Sequence, residues 1–559
     1  MRVSMAWLQE FVQTQIPVND LAEKLSMAGF EVESIEDLSK LAIGVVVGYI
    51  EEVEKHPNAD KLRVCKVNVG IQDSLQIVCG APNVRSDIHV AVAIEGTNLP
   101  AKGLKIKESS LRGVKSQGMI CSLEELGLNS TIDGILVLED LEKNIPKLGS
   151  PIIDIIGLND IILDLAITAN RPDGMSMIGI SKEVSALTKS PLSQIETTQQ
   201  LTYDKVDNPS ISCEIIDKND IYALTLIDAV SGEVPSPGII SKRLEASGIK
   251  SNNAIVDITN YVMIEYGQPL HAFDADRLEI ITGKSVDYKS FGVRKARSRE
   301  EFVALDGKKI NLDTSCSVIT CHDIPIAIAG VIGGKESSVN TNTKRIWLES
   351  AVFQPNTIRN SSRFIGLRTE SSSRYEKGLP SEVTLMAANR SISLLKECMS
   401  IEIQGGWVVG NSNKKVRPIN LRKKQITKVL GKVTNYLQNE ITDKAQISRE
   451  LTVEEIEECL TLLGCTLTKL DTSWEVTIPP SRKKDLTREI DLIEEIARLI
   501  GFDRFEDNLP NPLEPGVLNP KQKCERYLRQ AFCSAGLQEV STLSLVAKDE
   551  GNTNIIPIQ

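Results

Sequence analysis

The chain has 559 residues, 41% hydrophobic and 25% charged, with a formal net charge of -11. That length accommodates roughly four domains with several buried cores, and the acidic balance excludes wholesale wrapping of nucleic acid, so any RNA contact must be a local basic patch. Eleven cysteines without a CxxC pattern and only four histidines, His56, His89, His271 and His322, argue against a zinc site or a disulfide framework. No apolar run approaches the roughly 18 residues of a membrane span. Met1-Arg2-Val3-Ser4 leads into an amphipathic segment rather than a signal peptide, so a cytoplasmic protein without membrane contact is expected.

Val3 to Val12 and Leu21 to Ala28 read as helices, the second closed by Gly29. From Gly44 to about Gly149, short strands rich in Val and Ile (Val45 to Ile50, Leu62 to Val69, Leu75 to Cys79, His89 to Ile94) alternate with Gly, Pro and Asn turns, the rhythm of a small β-barrel. Within it Lys102, Lys105, Lys107, Arg112 and Lys115 face a single acid, Glu108, over 14 positions. Tyr49 is the region's sole aromatic residue, so RNA recognition there would rest on phosphate and shape rather than base stacking. Lysine-rich edges that guard a solvated barrel against sheet pairing account for the same charges. His56 reads as a turn residue. Asn170-Arg171-Pro172-Asp173 then introduces a helical pattern through Leu187; Arg171 could contact RNA or cap local acids, and the structural reading is favoured.

A polar stretch from Ser190 to Ser210 leads to a dense series of motifs. They are Ser251-Asn252-Asn253-Ala254-Ile255-Val256-Asp257-Ile258-Thr259-Asn260-Tyr261, Gly267-Gln268-Pro269-Leu270-His271-Ala272-Phe273-Asp274, Leu305-Asp306-Gly307, Ala329-Gly330-Val331-Ile332-Gly333-Gly334 and Leu348-Glu349-Ser350-Ala351. Taken alone, His271 fits a satisfied core histidine, Thr259 a strand residue, and the Gly-rich loop a tight turn. Arg368-Thr369-Glu370 and Arg374-Tyr375-Glu376-Lys377-Gly378 follow.

From Val416 to Phe505, Thr452 and Glu455 form a capping box, Ile456, Leu460 and Leu463 share a face before Gly464, and Trp474 to Ile478 reads as a strand. In the last helix of this unit Ile490, Ile493, Ala497 and Ile500 seek a core, while Asp491, Glu494 and Glu495 crowd the other side. Such like-charge pairs are destabilising. A hard cation such as Mg2+ bound by these oxygens together with Asp485 would relieve them, and so would a solvated face with an ordinary ion pair to Arg498. Lys414, Lys415, Arg417, Arg422, Lys423 and Lys424 are basic, but the acidic helix would repel phosphate, so DNA is not an expected partner. Pro510, Pro512, Pro515 and Pro520 mark a linker, followed by a helix carrying Cys524, Tyr527, Leu528, Ala531, Phe532 and Ala535 and by a strand from Glu539 to Val546.

Pro479-Pro480-Ser481-Arg482-Lys483-Lys484-Asp485 with the acidic helix resembles the metal-binding segment of bacterial phenylalanyl-tRNA synthetase β subunits. His56-Pro57-Asn58-Ala59-Asp60-Lys61-Leu62, Cys79-Gly80-Ala81-Pro82-Asn83-Val84 and Arg112-Gly113-Val114-Lys115-Ser116-Gln117-Gly118 resemble the tRNA-binding oligonucleotide-fold module that some synthetases carry, and the Ser251 to Ala351 motifs resemble the family's editing domain in order.

The resemblance implies an α+β multidomain chain. An OB-fold β-barrel (39–150) is inserted in a split N-terminal helical domain (1–38 and 151–190). An α/β editing domain (210–400), a winged-helix-like domain (411–508) and the start of a class II synthetase-like domain (520–559) follow, and the chain reads as a C-terminally truncated β subunit of phenylalanine–tRNA ligase. It further implies an editing pocket of His271, Glu349, Thr259 and Ala329, tRNA contacts from Lys102, Lys105, Lys107, Arg112 and Lys115, and Mg2+ on Asp485, Asp491, Glu494 and Glu495. ATP would bind on an α subunit, the partner in a heterotetramer of two α and two β chains that acts on tRNA(Phe). A pocket for phenylalanine cannot strongly reject tyrosine, so a second site hydrolysing Tyr-tRNA(Phe) follows chemically. A free-standing hydrolase of mischarged tRNA and a non-enzymatic tRNA-binding scaffold are the two alternatives.

Overall fold

Strand Arg2–Ser4 ends at Ser4, whose hydroxyl accepts from the Trp7 backbone and starts helix Met5–Phe11. In the computed structural model, which describes residues 1–128, 133–141, 144–193, 201–217, 220–410, 417–436, 446–507 and 516–541, this strand does not pair with its sequence neighbour. Strand Ile161–Ala166 lies between it and Glu31–Asp37, antiparallel to both, with Val3 opposite Leu163 and Asp164 opposite Ser34. The chain thus leaves this sheet after Asp37 and returns at Ile161. The expectation of a helical domain here is corrected: helices Met5–Phe11, Val18–Met27 and Met177–Thr188 pack with a three-stranded sheet. A three-residue strand carries no periodicity, and a register shift between Asp164 and Leu165 skips Glu33, scrambling the alternation of Glu31–Asp37.

The interposed segment forms a five-stranded antiparallel sheet in the order Gly118–Ile120, Ile88–Ile94, Val45–Lys55, Arg63–Asn68, Leu75–Cys79. Its two edges approach each other. Gln117 N–H donates to Gln76 O at 2.8 Å and Val78 N–H to Ser116 Oγ at 3.1 Å, so the sheet is a nearly closed barrel filled by Ile50, Cys65, Val67, Ile77, Val90 and Val92. A Cβ at Gly48 would lie 2.5 Å from Val92 Cγ2, which is why the long first strand carries glycine at its most crowded point.

Downstream, strands Glu402–Gly410, Ile221–Asp228, Ile346–Ala351 and Leu270–Asp274 run antiparallel in that order, with Asp204–Lys205 parallel at the edge. Every residue of Ile346–Ala351 is buried, because both sheet faces are covered. Ile346 and Leu348 meet helices Ala254–Tyr266 and Glu382–Cys398 on one face. Trp347 and Ala351 meet the other core, shared with the sheet Phe291–Lys295, Ser317–Cys321, Ile324–Ile328, Ile332–Gly333. Phe291 packs edge-on to Trp347 at 5.2 Å, the favoured aromatic geometry.

The third unit has the sheet Ile419–Arg422, Ser473–Thr477, Thr466–Lys469 against helices Val453–Leu462 and Glu489–Ile500. Its Thr452/Glu455 capping box is present as expected.

The chain divides into two compact units, Met1–Phe505 and Glu506–Gln559. In the latter, helix Pro520–Ser534 begins at an Asn519/Gln522 capping box and buries no side chain; Tyr527, Leu528 and Phe532 are exposed. Residues 539–541 of the expected strand are irregular, and its remaining residues, 542–546, lie outside the described residues. Among the described residues no helix is long and apolar enough to cross a membrane.

Candidate functional site

His271 and Glu349 stand directly opposite each other on antiparallel strands, His271 on Leu270–Asp274 and Glu349 on Ile346–Ala351. Directly opposed side chains share one sheet face with Cβ atoms roughly 5 Å apart. Here that face borders a cavity of about 60 Å³ lined also by Gly330, Gly333, Phe353 and Tyr375.

Glu349 is 4% exposed. Burial pushes its carboxyl up to about 7, against the pull of a hydrogen bond from the Tyr222 hydroxyl to Oε2 at 2.8 Å. His271 is half-buried as a residue, yet its Nε2 is enclosed and has no hydrogen-bond partner among the described residues. Burial lowers it to about 4, so the ring is neutral at working pH. An enclosed, unpartnered ring nitrogen beside a buried carboxylate carries an uncompensated cost that a bound polar group would remove.

The glycine turn fits this ring closely. A Cβ on Gly333 would lie 2.6 Å from His271 Cε1, so no other residue leaves the imidazole in place. Thr369 caps helix Glu370–Tyr375 and donates its hydroxyl to Val331 O at 2.9 Å, tying the turn to that helix. Tyr375 donates to Ala351 O at 3.0 Å.

Thr259 and Ala329 are placed differently from the expectation. Thr259 sits on helix Ala254–Tyr266, begun by the Asn253 cap, and returns its hydroxyl to Val256 O at 2.7 Å; it does not line the cavity. Ala329 is fully buried between lining residues Ile328 and Gly330 without lining it. Tyr222 and Phe353 fall in none of the sequence motifs, whereas Gly333 belongs to the Ala329–Gly334 glycine-rich motif without being marked there as a site residue. Tyr222 lies on a strand whose pairing partner is more than a hundred residues away, and no local signal marks it.

All five basic residues of the barrel, Lys102, Lys105, Lys107, Arg112 and Lys115, are exposed. Lys115 pairs with Glu108 at 2.8 Å and Lys102 with Glu124 at 3.7 Å. His56 is structural: its Nδ1 accepts from Asn58 N–H at 3.1 Å, its Nε2 lies 3.1 Å from Leu111 O, and the block it begins braces the hairpin bearing Arg112.

The acidic helix corrects two expectations. Asp485, Asp491, Glu494 and Glu495 do not assemble a metal site. Arg482 binds both Asp485 (2.5 Å) and Glu495 (2.8 Å), and Arg498 binds Glu495 and, across the fold, Glu183. Asp491 accepts from the Thr487 and Arg488 backbone and from the Arg488 side chain, while Glu494 is exposed. Among the described residues no group of three or more His, Cys, Asp or Glu is arranged to hold a metal, so the residues do not fit the ion as placed. Nor is the face solvated. Arg498 pairs with Glu495 rather than Glu494, and burial is outweighed by Arg498 and Arg482, which hold Glu495 far below the usual carboxylate range. Arg171 extends the network through Glu183 and Asp173, each at 2.9 Å, as the capping role expected for it requires.

Three family models match this chain in succession: a putative tRNA binding domain over residues 45–144, a B3/4 domain over 218–400 and a tRNA synthetase B5 domain over 419–502. With the barrel and the buried cavity they define the class, an aminoacyl-tRNA synthetase chain with a tRNA-binding module. Full-length similarity is to the phenylalanine–tRNA ligase beta subunits of Prochlorococcus marinus (strain MIT 9313), 53% identical over 558 residues, and of Synechococcus sp. (strain CC9605), 53% over 555 residues. The alignments cover 100% and 99% of this chain and 67% of each relative. The chain belongs to the bacterial phenylalanine–tRNA ligase beta subunit family. A solved N-terminal fragment of the phenylalanyl-tRNA synthetase beta subunit from Pyrococcus horikoshii is also similar, at 10% identity and a TM-score of 0.35 over 89% of this chain and 99% of the fragment, too distant to carry an argument.

Proposed function

We propose that the chain serves as the β subunit of phenylalanine–tRNA ligase, contributing tRNA binding, scaffold and hydrolytic clearance of Tyr-tRNA(Phe), while ATP-dependent joining of phenylalanine to tRNA(Phe) takes place on a partner α subunit. The observation that carries this reading is the pairing of buried Glu349 with His271 over one cavity. Glu349 accepts a hydrogen bond from a phenol, which phenylalanine cannot offer, and an unpaired buried acceptor costs about 1–3 kcal/mol, more when charged. That difference becomes discrimination. His271, neutral and with a free ring nitrogen, orients the ester or the hydrolytic water.

Residues 39–150 act as the OB-fold module, with Lys102, Lys105, Lys107, Arg112 and Lys115 meeting tRNA phosphates, a role their exposure supports. Residues 210–400 form the editing domain, 411–508 the winged-helix-like domain, and 1–38 with 151–190 the split domain that carries the barrel. Ala329 supports the pocket wall between its lining neighbours Ile328 and Gly330, and Thr259 contributes through the helix that carries it. Mg2+ and ATP belong to the assembled heterotetramer, and no step in this chain is routed through a metal.

The test is Glu349→Ala in the assembled enzyme. Tyr-tRNA(Phe) hydrolysis is expected to slow at least tenfold while Phe-tRNA(Phe) synthesis persists, the tenfold corresponding to about 1.4 kcal/mol of lost recognition. Undiminished Tyr-tRNA(Phe) clearance would refute the reading.

A further inference from the structure

We propose that Tyr222 is a positioning residue for substrate selection: its phenol holds one oxygen of Glu349 so that the other is presented to the hydroxyl of a misattached tyrosine. The inference rests on the editing reading above. Tyr222 lies on strand Ile221–Asp228, two residues from Leu224, the partner of Glu349 across the ladder, so the two side chains meet diagonally on one sheet face. The phenol donates to Oε2 at 2.8 Å, and this is the one hydrogen bond Glu349 makes among the described residues. A carboxylate offers about four lone-pair sites. One bond at Oε2 therefore fixes the plane of the group and leaves Oε1 unclaimed beside the cavity that Glu349 lines.

Tyr222 cannot swing away to serve any other partner. It is 1% exposed and locked in the core with Phe291, Trp347 and Phe353. The site thus contains a phenol of its own, already bound to the group that is to recognise one. The titratable groups facing this carboxylate are Tyr222, His271 on the opposed strand and Tyr375 on helix Glu370–Tyr375, with Cys321 next to Tyr222. Burial raises both tyrosines and Cys321 and lowers His271, so none is charged at neutral pH. The Tyr222 bond is what favours the ionised carboxylate against burial.

Tyr222→Phe deletes the hydroxyl and keeps the ring. In the assembled enzyme, kcat/KM for Tyr-tRNA(Phe) hydrolysis is expected to fall about tenfold, the worth of one hydrogen bond to a charged group, and the pH at half-maximal clearance to move upward. Site-specific 3-fluorotyrosine at position 222, a more acidic phenol of nearly unchanged size, is expected to move that midpoint downward. Opposite shifts in the two proteins support the role. An unmoved midpoint in both, while Glu349→Ala is defective, overturns the role of Tyr222 and leaves editing intact. Normal clearance by Glu349→Ala overturns the editing reading itself.

Discussion

Glu349 and Glu495 are both buried glutamates, 4% and 5% exposed, yet their surroundings push them in opposite directions. Glu495 is gripped by two guanidinium groups and held ionised. Glu349 has one neutral donor and is pushed up to about 7. A saturated carboxylate is spent on holding segments together, whereas an under-paired one at a cavity keeps an acceptor in reserve. The acidic helix, with more carboxylates, is therefore the structural region, and the lone glutamate is the one with an acceptor to spare.

The largest expected effect breaks the saturated side. Glu183→Ala would leave Arg171 and Arg498 buried without a shared acceptor, and losing one partner of a buried ion pair costs about 3–5 kcal/mol. Urea unfolding measures it; a loss below about 1 kcal/mol would mean the network is not structurally coupled.

The next sharpens the reserve side. Glu349 binds its proton more tightly folded than unfolded, so between its ordinary value near 4.5 and about 7 the stability it allows is present at low pH and is lost as pH rises. Glu349→Gln removes that penalty. The variant is expected to gain on the parent with rising pH, reaching about 3 kcal/mol above pH 7. His271 has the opposite slope, its stability being lost as pH falls from 6.5 toward 4, but it is common to both proteins and cancels in the difference. A parent-to-variant gap that is equal at pH 5 and pH 8 would remove the contrast.

The smallest effect is an expected absence of change. Millimolar Mg2+ should leave the melting temperature unmoved in the parent and in Asp491→Asn with Glu494→Gln, since Asp485, Asp491 and Glu495 are already paired with arginine and Glu494 lies exposed on the surface. A Mg2+-dependent rise confined to the parent would return the acidic helix to metal binding.

Local chemistry was legible in the sequence. The Thr452/Glu455 capping box, the barrel strands and the turn role of His56 are written in neighbouring residues. The pairing of His271 with Glu349 was legible only through motif order, since strand Ile346–Ala351, buried on both faces, shows no alternation. What could not be read depends on distant partners. Glu183 reaches Arg498 across 315 positions, and Tyr222 reaches Glu349 across 127. Spacing on the acidic helix correctly flagged a need for positive charge, but it cannot tell a cation from an arginine delivered by the fold.

The central placement of Ile161–Ala166 in the first sheet bears on the order in which the nascent protein acquires structure. On the ribosome, at about 5–20 residues per second, Arg2–Ser4 and Glu31–Asp37 emerge well before the strand that joins them. All five barrel strands lie within residues 45–120, so their sheet can form while the amino-terminal strands still lack Ile161–Ala166. Synthesis thus sets the cassette first and its mounting second.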